Sequence, residues 1–397
     1  MSWTMARQAE QGSVGWCYQR RRPEQTLLYQ LVESYYPEFL DVLAAQGRSL
    51  PTYVQREFED FLRCGRLEHG FLRVRCADCH VERLVAFSCK RRGFCPSCGA
   101  RRMVESAALL VDGVLPRLPM RQWVLSFPFQ LRFLFASRPE LMGRILGIVY
   151  RAIETHLVQQ AGCIRAEAKT GAVTLIQRFG SALNLKIDFH MLFLDGVYVV
   201  NGERPVFRRL PAPTSQALER LVHVISQRVG AYLERQGLLV RDIENSYLEL
   251  ETPDDSALHE LLGHSISYRI AVGRHAGRKA FTLQTSPAQE QQSTDNQLAK
   301  ANGFSLHAGV SAKDHQRRKL ERLCRYIARP AVATGRLALT RQGNVRYTLK
   351  TPYRDGTTHI ILEPLDFTAL AHPCARGISA SMHVIERPPS CPSATNP

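Results

Sequence analysis

The chain has 397 residues, 45% of them hydrophobic, enough for two or three domains and a sizeable core. Fifty-two Lys plus Arg stand against 36 Asp plus Glu, a formal net charge of +16; this points to a polyanionic partner, nucleic acid before a membrane surface. No run of about 18 apolar residues is present, so no transmembrane helix is expected, and Met1 to Glu10 lacks the apolar core of a secretory signal.

Residues 1–25 are polar and expected to be disordered. From Thr26 to Ala45 apolar residues recur at helical spacing, and a second helix is expected from Pro51 to Leu62. Next comes a cysteine-rich stretch. Cys76, Cys79, Cys95 and Cys98 form two CxxC pairs fifteen residues apart, the ligand pattern of a tetrahedral zinc site. Cys64, His69 and Cys89 are left over and could replace one of the four or build a second site. Four protein ligands leave no open position, so this zinc is read as structural. Such cysteine use without an export signal fits a reducing cytoplasm. Lys90, Arg91, Arg92, Arg101 and Arg102 flank the second pair and suit phosphate contacts.

Residues 104–118 and 139–160 read as helices, Gln122 onward and 171–177 as strands. Asn184 to Leu194 reads as a buried strand ended by an Asp195-Gly196 turn. Asp188 and His190 interrupt it two residues apart, so both project from one face. A carboxylate and an imidazole side by side on a rigid strand make half of a divalent-metal site. Residues 204–214 read as a Pro- and Arg-rich loop, 215–239 as a helix, and 251–305 as polar and irregular.

Between Ser311 and Pro330, Leu320, Leu323, Cys324 and Ile327 define one apolar helix face, with Arg318, Arg322, Arg325 and Arg329 on the other. Tyr326 lies at the flank of the apolar stripe, with Arg322 and Arg329 one turn away. A tyrosine on a basic helical face is what a phosphotyrosyl nucleophile needs, with the arginines holding the phosphate. Strand-like runs follow at 336–340, 344–350 and 358–363. From about Ala369 periodicity fails, and 366–397 is expected to be a disordered or frameshifted tail. The order of elements suggests an α+β fold with an antiparallel sheet.

Several stretches together resemble the rolling-circle transposases of the IS-ninety-one and ISCR type, members of the HUH endonucleases. They are Phe87 to Cys98 with Ala100-Arg101-Arg102, Gln122 to Pro128, Gln177 to Leu185 running into Asp195 to Tyr198, Leu320 to Pro330, and Tyr353 to His359. The resemblance implies a small helical and zinc-binding N-terminal module (26–110) followed by a ferredoxin-like HUH nuclease domain (118–365). It implies DNA as partner, single-stranded at cleavage and at element ends. Carried over, His190 is the second histidine of the HUH motif and Tyr326 the nucleophile that forms a 5′-phosphotyrosine link. Magnesium or manganese would be the catalytic metal. The first histidine of the motif is Asp188 here, and a second tyrosine found four residues upstream in some relatives is Arg322, making this a single-tyrosine variant. A lone nucleophile must act sequentially, or a second subunit must contribute. Glu321 and His307 are the candidates for a third metal ligand. The alternatives are an impaired copy that binds but does not cut, and a plasmid-type replication initiator with the same chemistry.

Overall fold

The computed structural model describes residues 21–91, 93–201, 204–241, 246–248, 257–285, 297–353, 355–371 and 379–383. The N-terminal region opens with α1 (Leu27–Ala45), whose first turn is capped by the Thr26 hydroxyl accepting the Tyr29 N–H. α2 (Thr52–Arg63) starts from Pro51. A hairpin of β1 (Phe71–Arg75) and β2 (Glu82–Ala86) follows. α3 (Pro96–Ala108) has proline at its first position, where no N–H is needed, and runs on as a π-helical stretch to Val114.

Then come β3 (Met120–Ser126), α4 (Phe129–Ser137), α5 (Leu141–Gln160), β4 (Ala168–Lys169), β5 (Ala172–Phe179), β6 (Leu185–Leu194), β7 (Gly196–Asn201), β8 (Arg204–Arg209) and α6 (Ser215–Arg235). After a short hairpin of β9 (Leu239–Arg241) and β10 (Ser246–Leu248), the chain forms α7 (Ala257–Ser267), β11 (Phe281–Gln284), β12 (Leu298–Ala301), β13 (Phe304–Ala312) and α8 (Arg317–Ile327). It ends with β14 (Leu337–Leu339), β15 (Val345–Thr348), β16 (Thr357–Leu362), α9 (Pro364–Ala371) and β17 (Ser379–His383).

The central sheet is antiparallel, in the order β12-β13-β3-β6-β5-β17. Its four inner strands and their helices run strand–helix–strand–strand–helix–strand, with β13 and β5 outside β3 and β6. That is the ferredoxin-like arrangement. Alternation along β6 divides its side chains between two faces. Ile187, Phe189, Met191 and Phe193 join the core beneath α5 and α6. On the other face Leu192 and Leu194 pack under α8 against Leu320, Cys324 and Ile327, and Asp188 and His190 occupy the half that α8 leaves open.

A second core joins the two ends of the chain. α1 and α2 pack with Val345, Tyr347, Ile360, Leu362 and Phe367 from the sheet β11-β16-β15-β14 and α9. The zinc-bearing region therefore folds against the C-terminal part rather than apart from it.

Several expectations change. Residues 204–209 are not loop; β8 pairs with β7, and Gly196 lies so close that a Cβ would meet the Arg208 carbonyl at 2.3 Å. Residues 251–305 include α7, β11 and β12. The tail is structured at least to Ala371, with Phe367, Thr368 and Ala369 buried, and 379–383 adds β17 to the edge of the central sheet. The rest of the tail and residues 1–20 lie outside the described residues, while Pro23–Gln25 forms a 3-10 turn.

Asp195 is more than a turn residue. It is buried and takes a bidentate ion pair from Arg121 at 2.7 and 3.1 Å, while Arg121 also donates to the Ala308 carbonyl at 2.9 Å. The pair thus ties the start of β3 to the end of β6 and to β13. Asp195→Ala strands a buried guanidinium and is expected to cost about 3–5 kcal/mol in a urea titration; a loss below about 1 kcal/mol would place the pair with ordinary surface ion pairs.

Candidate functional site

The structure gathers four cysteines, and they are not the four that spacing favoured. Cys64, Cys89, Cys95 and Cys98 present their sulfurs within 4.8 Å of one another. Cys64 follows the end of α2, Cys95 caps α3, and Cys98 sits one turn into it. The Sγ separations are 3.6 Å for Cys64–Cys98, 3.6 Å for Cys89–Cys98 and 3.8 Å for Cys64–Cys95. A tetrahedron with metal–sulfur bonds of about 2.3 Å has edges of about 3.8 Å, so the quartet fits zinc. The Cys89 N–H donates to the Cys64 sulfur at 3.3 Å, an outer contact that orients a ligand. Hydrogen bonding from Cys89 lowers the Cys64 thiol to about 7. Cys76 and Cys79 instead sit exposed at the tip of the β1–β2 hairpin, and His69 lies in an exposed 3-10 turn. The hairpin carries the first CxxC pair away from the second.

The zinc-bearing helix abuts the helix of Tyr326. A Cβ on Gly99 would lie 2.9 Å from Pro330 Cβ, just past α8. Arg317, at the start of α8, donates to the carbonyls of Val111, Leu115 and Pro116, satisfying the end of the π-helical stretch.

On the open half of the sheet lies a cleft of about 620 Å³ lined by Asp188, His190, His307, Tyr326 and Arg329, among others. His190 is buried and its Nδ1 lies 3.0 Å from the Gln122 amide nitrogen. Its Nε2 has no hydrogen-bond partner, and neither has Asp188 Oδ1, while Asp188 Oδ2 meets Lys186 at 3.2 Å. Burial lowers the His190 pKa to about 4, with Asp188 raising it and Arg329 and Lys186 lowering it. The imidazole is therefore neutral at neutral pH, the form that ligates a metal. Two orphaned donor atoms on one face of one strand fit a divalent cation. Coordination through Nε2 puts the proton on Nδ1, so the Gln122 amide would turn its oxygen toward the ring.

His307 sits directly across β3 from His190, both registering with Val124. A bulge follows it, and a Cβ on Gly309 would come 2.7 Å from His307 Nε2, so a side chain there would push this ring aside. The other candidate third ligand, Glu321, faces away and pairs with Arg325 at 2.6 Å.

Tyr326 is 39% exposed. The Arg329 guanidinium lies 4.3 Å and the Lys350 ammonium 4.0 Å from its ring centre. Lys350 and Tyr353 arrive on the loop between β15 and β16, and the Tyr353 hydroxyl meets that of Tyr268, which donates to Asn184 at 2.8 Å. Lys350 and Gln122 escaped sequence reasoning. Gln122 had a signal, a polar residue alternating with Val124 and Ser126 along an apolar strand; Lys350 had none.

The basic residues divide. Arg322 and Arg101 are exposed. Arg91 is held by Asp60 and Glu57, Arg325 by Glu321, and Arg102 donates to the Lys90 carbonyl at 3.4 Å, so Arg91 and Arg325 are committed within the fold. Arg92 lies outside the described residues. A larger cavity of about 840 Å³ between α4, α6 and α7 has no titratable side chain in its lining.

Fold and site together describe an α+β protein with a structural zinc centre and a polar cleft on an antiparallel sheet. Comparison with protein families narrows this. A model described as "Putative transposase" matches residues 171–372, just over half of the chain, and one described as "Transposase zinc-binding domain", of the IS-ninety-one type, matches residues 31–127. The chain belongs to this transposase family, with an N-terminal zinc-binding domain followed by the transposase domain. No curated protein and no solved structure matches it.

Replacing Cys89 or Cys98 by Ser is expected to abolish zinc retention by the quartet and lower the melting temperature. Zinc measured per chain after dialysis against a weak chelator checks this, with Cys163→Ser, outside the cluster, keeping the wild-type metal content at that site.

Proposed function

We propose that the protein cleaves single-stranded DNA at the ends of its element and transfers the strand, with Tyr326 as nucleophile. The observation that carries this reading is that Tyr326, Asp188 and His190, from elements far apart in the chain, line one cleft whose two metal-facing atoms lack protein partners. Asp188 and His190, with His307 across β3, would hold magnesium or manganese, which would polarise the scissile phosphate and offset its developing charge. The Tyr326 oxygen attacks the phosphorus and the 3′-oxygen leaves, taking a proton. The resulting phosphotyrosine keeps the bond energy for rejoining. Arg329 and Lys350 stand where they can meet the phosphate, and exposed Arg322 and Arg101 extend the basic surface for the strand. One carboxylate in place of a histidine suits the harder oxygen-loving cations.

The test is incubation with labelled single-stranded DNA from the element's ends and manganese or magnesium, followed by denaturing electrophoresis. The wild type is expected to form a covalent protein–DNA adduct and Tyr326→Phe none. His190→Ala is expected to slow adduct formation on the order of 100-fold, the scale for removing one electrostatic group from a transition state. An adduct that survives Tyr326→Phe would sink the assignment. The substitution at 188 favours one other reading, a copy that binds ends without cutting. That reading gains if only Asp188→His yields an adduct.

A further inference from the structure

The β1–β2 hairpin carries two cysteines, Cys76 and Cys79, that the quartet leaves unused. Its strands pair from Phe71 with Ala86 to Arg75 with Glu82, and the Cys76 N–H continues the ladder to the Val81 carbonyl. One face carries Leu72, Val74, Val81 and Val85, exposed by 57%, 50%, 49% and 37%, with Arg83, the partner of Val74, among them. An isolated two-stranded hairpin is marginal in water, and an apolar face left open marks a contact surface. At the end of this face lies the turn Cys76-Ala77-Asp78-Cys79, closed by the His80 N–H donating to the Cys76 carbonyl at 3.2 Å, with both thiols exposed. The turn thus carries two exposed thiols in a CxxC pair. Zinc takes four ligands, and among the described residues the quartet is the only group of three or more metal-ligating side chains. The pair supplies half a site.

We propose that Cys76 and Cys79 bind a second zinc together with the same two cysteines of a second copy of this chain, the apolar faces of the two hairpins closing around it. A twofold axis through the metal generates four sulfurs from two, and makes the contact self-complementary: Leu72 and Val74 of each copy meet the other's hairpin. Each thiol gives its proton to solvent as it ligates. The consequence for cleavage, two Tyr326 nucleophiles in one assembly where each chain has Arg322 one turn before its own, rests on the proposed function. The metal site does not.

The test uses the full chain purified with zinc and no DNA, with metal content by elemental analysis and mass by native mass spectrometry and light scattering. The expected result is a dimer with about 1.5 zinc ions per chain, one in each quartet and one shared. Cys76→Ser/Cys79→Ser should give a monomer with one zinc per chain and an unchanged circular dichroism spectrum. Val74→Asp should weaken the dimer while its monomer keeps the quartet zinc. A monomeric wild type, with one or two zinc ions, overturns the proposal, as does a dimer that survives Cys76→Ser/Cys79→Ser. A zinc-linked dimer that forms no DNA adduct would leave this inference standing and count against the nuclease alone.

Discussion

Two buried atoms without protein partners organise this molecule: Nε2 of His190 and Oδ1 of Asp188, side by side on β6. A buried polar atom left unmatched costs about 1–3 kcal/mol, more when charged, so native folds keep few of them outside sites that use them. The chain holds both in place with an apolar face of β6 locked beneath α5 and α6 and with Gln122 and Lys186 bonded to the opposite ends of the two groups. The same sheet face is divided. Leu192 and Leu194 seat α8, and the polar half beyond them stays open as the cleft. One alternating strand therefore sets both where the two unpartnered atoms lie and how close the tyrosine helix comes.

The zinc-binding domain is tied into that arrangement. Its quartet pins the end of α2, the loop after β2 and the start of α3 to a single point, and α3 runs against α8, where Gly99 meets Pro330. Arg317 fastens the other end of α8 to the carbonyls that follow α3. The core shared by α1, α2, β15, β16 and α9 closes the ring from N-terminus to C-terminus. The loop carrying Lys350 and Tyr353 to the cleft springs from that shared core, so the domain matched as zinc-binding also supports the far wall of the site.

What was legible in the sequence was local. The alternation in 185–194 identified a buried strand with Asp188 and His190 on one face, and the periodicity of 317–327 placed Tyr326 between an apolar stripe and a basic face. The crowding of cysteines in CxxC pairs pointed to zinc, and the motif resemblance gave the family. Each rests on spacing along one element, where a period of 2 or 3.6 fixes which side chains share a face.

What only the tertiary structure decided was which of those faces meet. Spacing says that Cys76 and Cys79 can share one metal. It does not say that the hairpin carries them away from the second pair while Cys64 and Cys89 come in to complete the quartet. It cannot bring His307 across β3 to His190, or Lys350 onto Tyr326 from the β15–β16 loop, because those partners are chosen by strand register and core closure far along the chain. Nor could composition reveal that the Pro- and Arg-rich 204–209 is a strand or that 364–371 is a buried helix. Both are held by contacts with β7 and α1, not by their own propensity. Local periodicity fixed the chemistry each element could offer; long-range packing, which alone decides proximity, made one site of them.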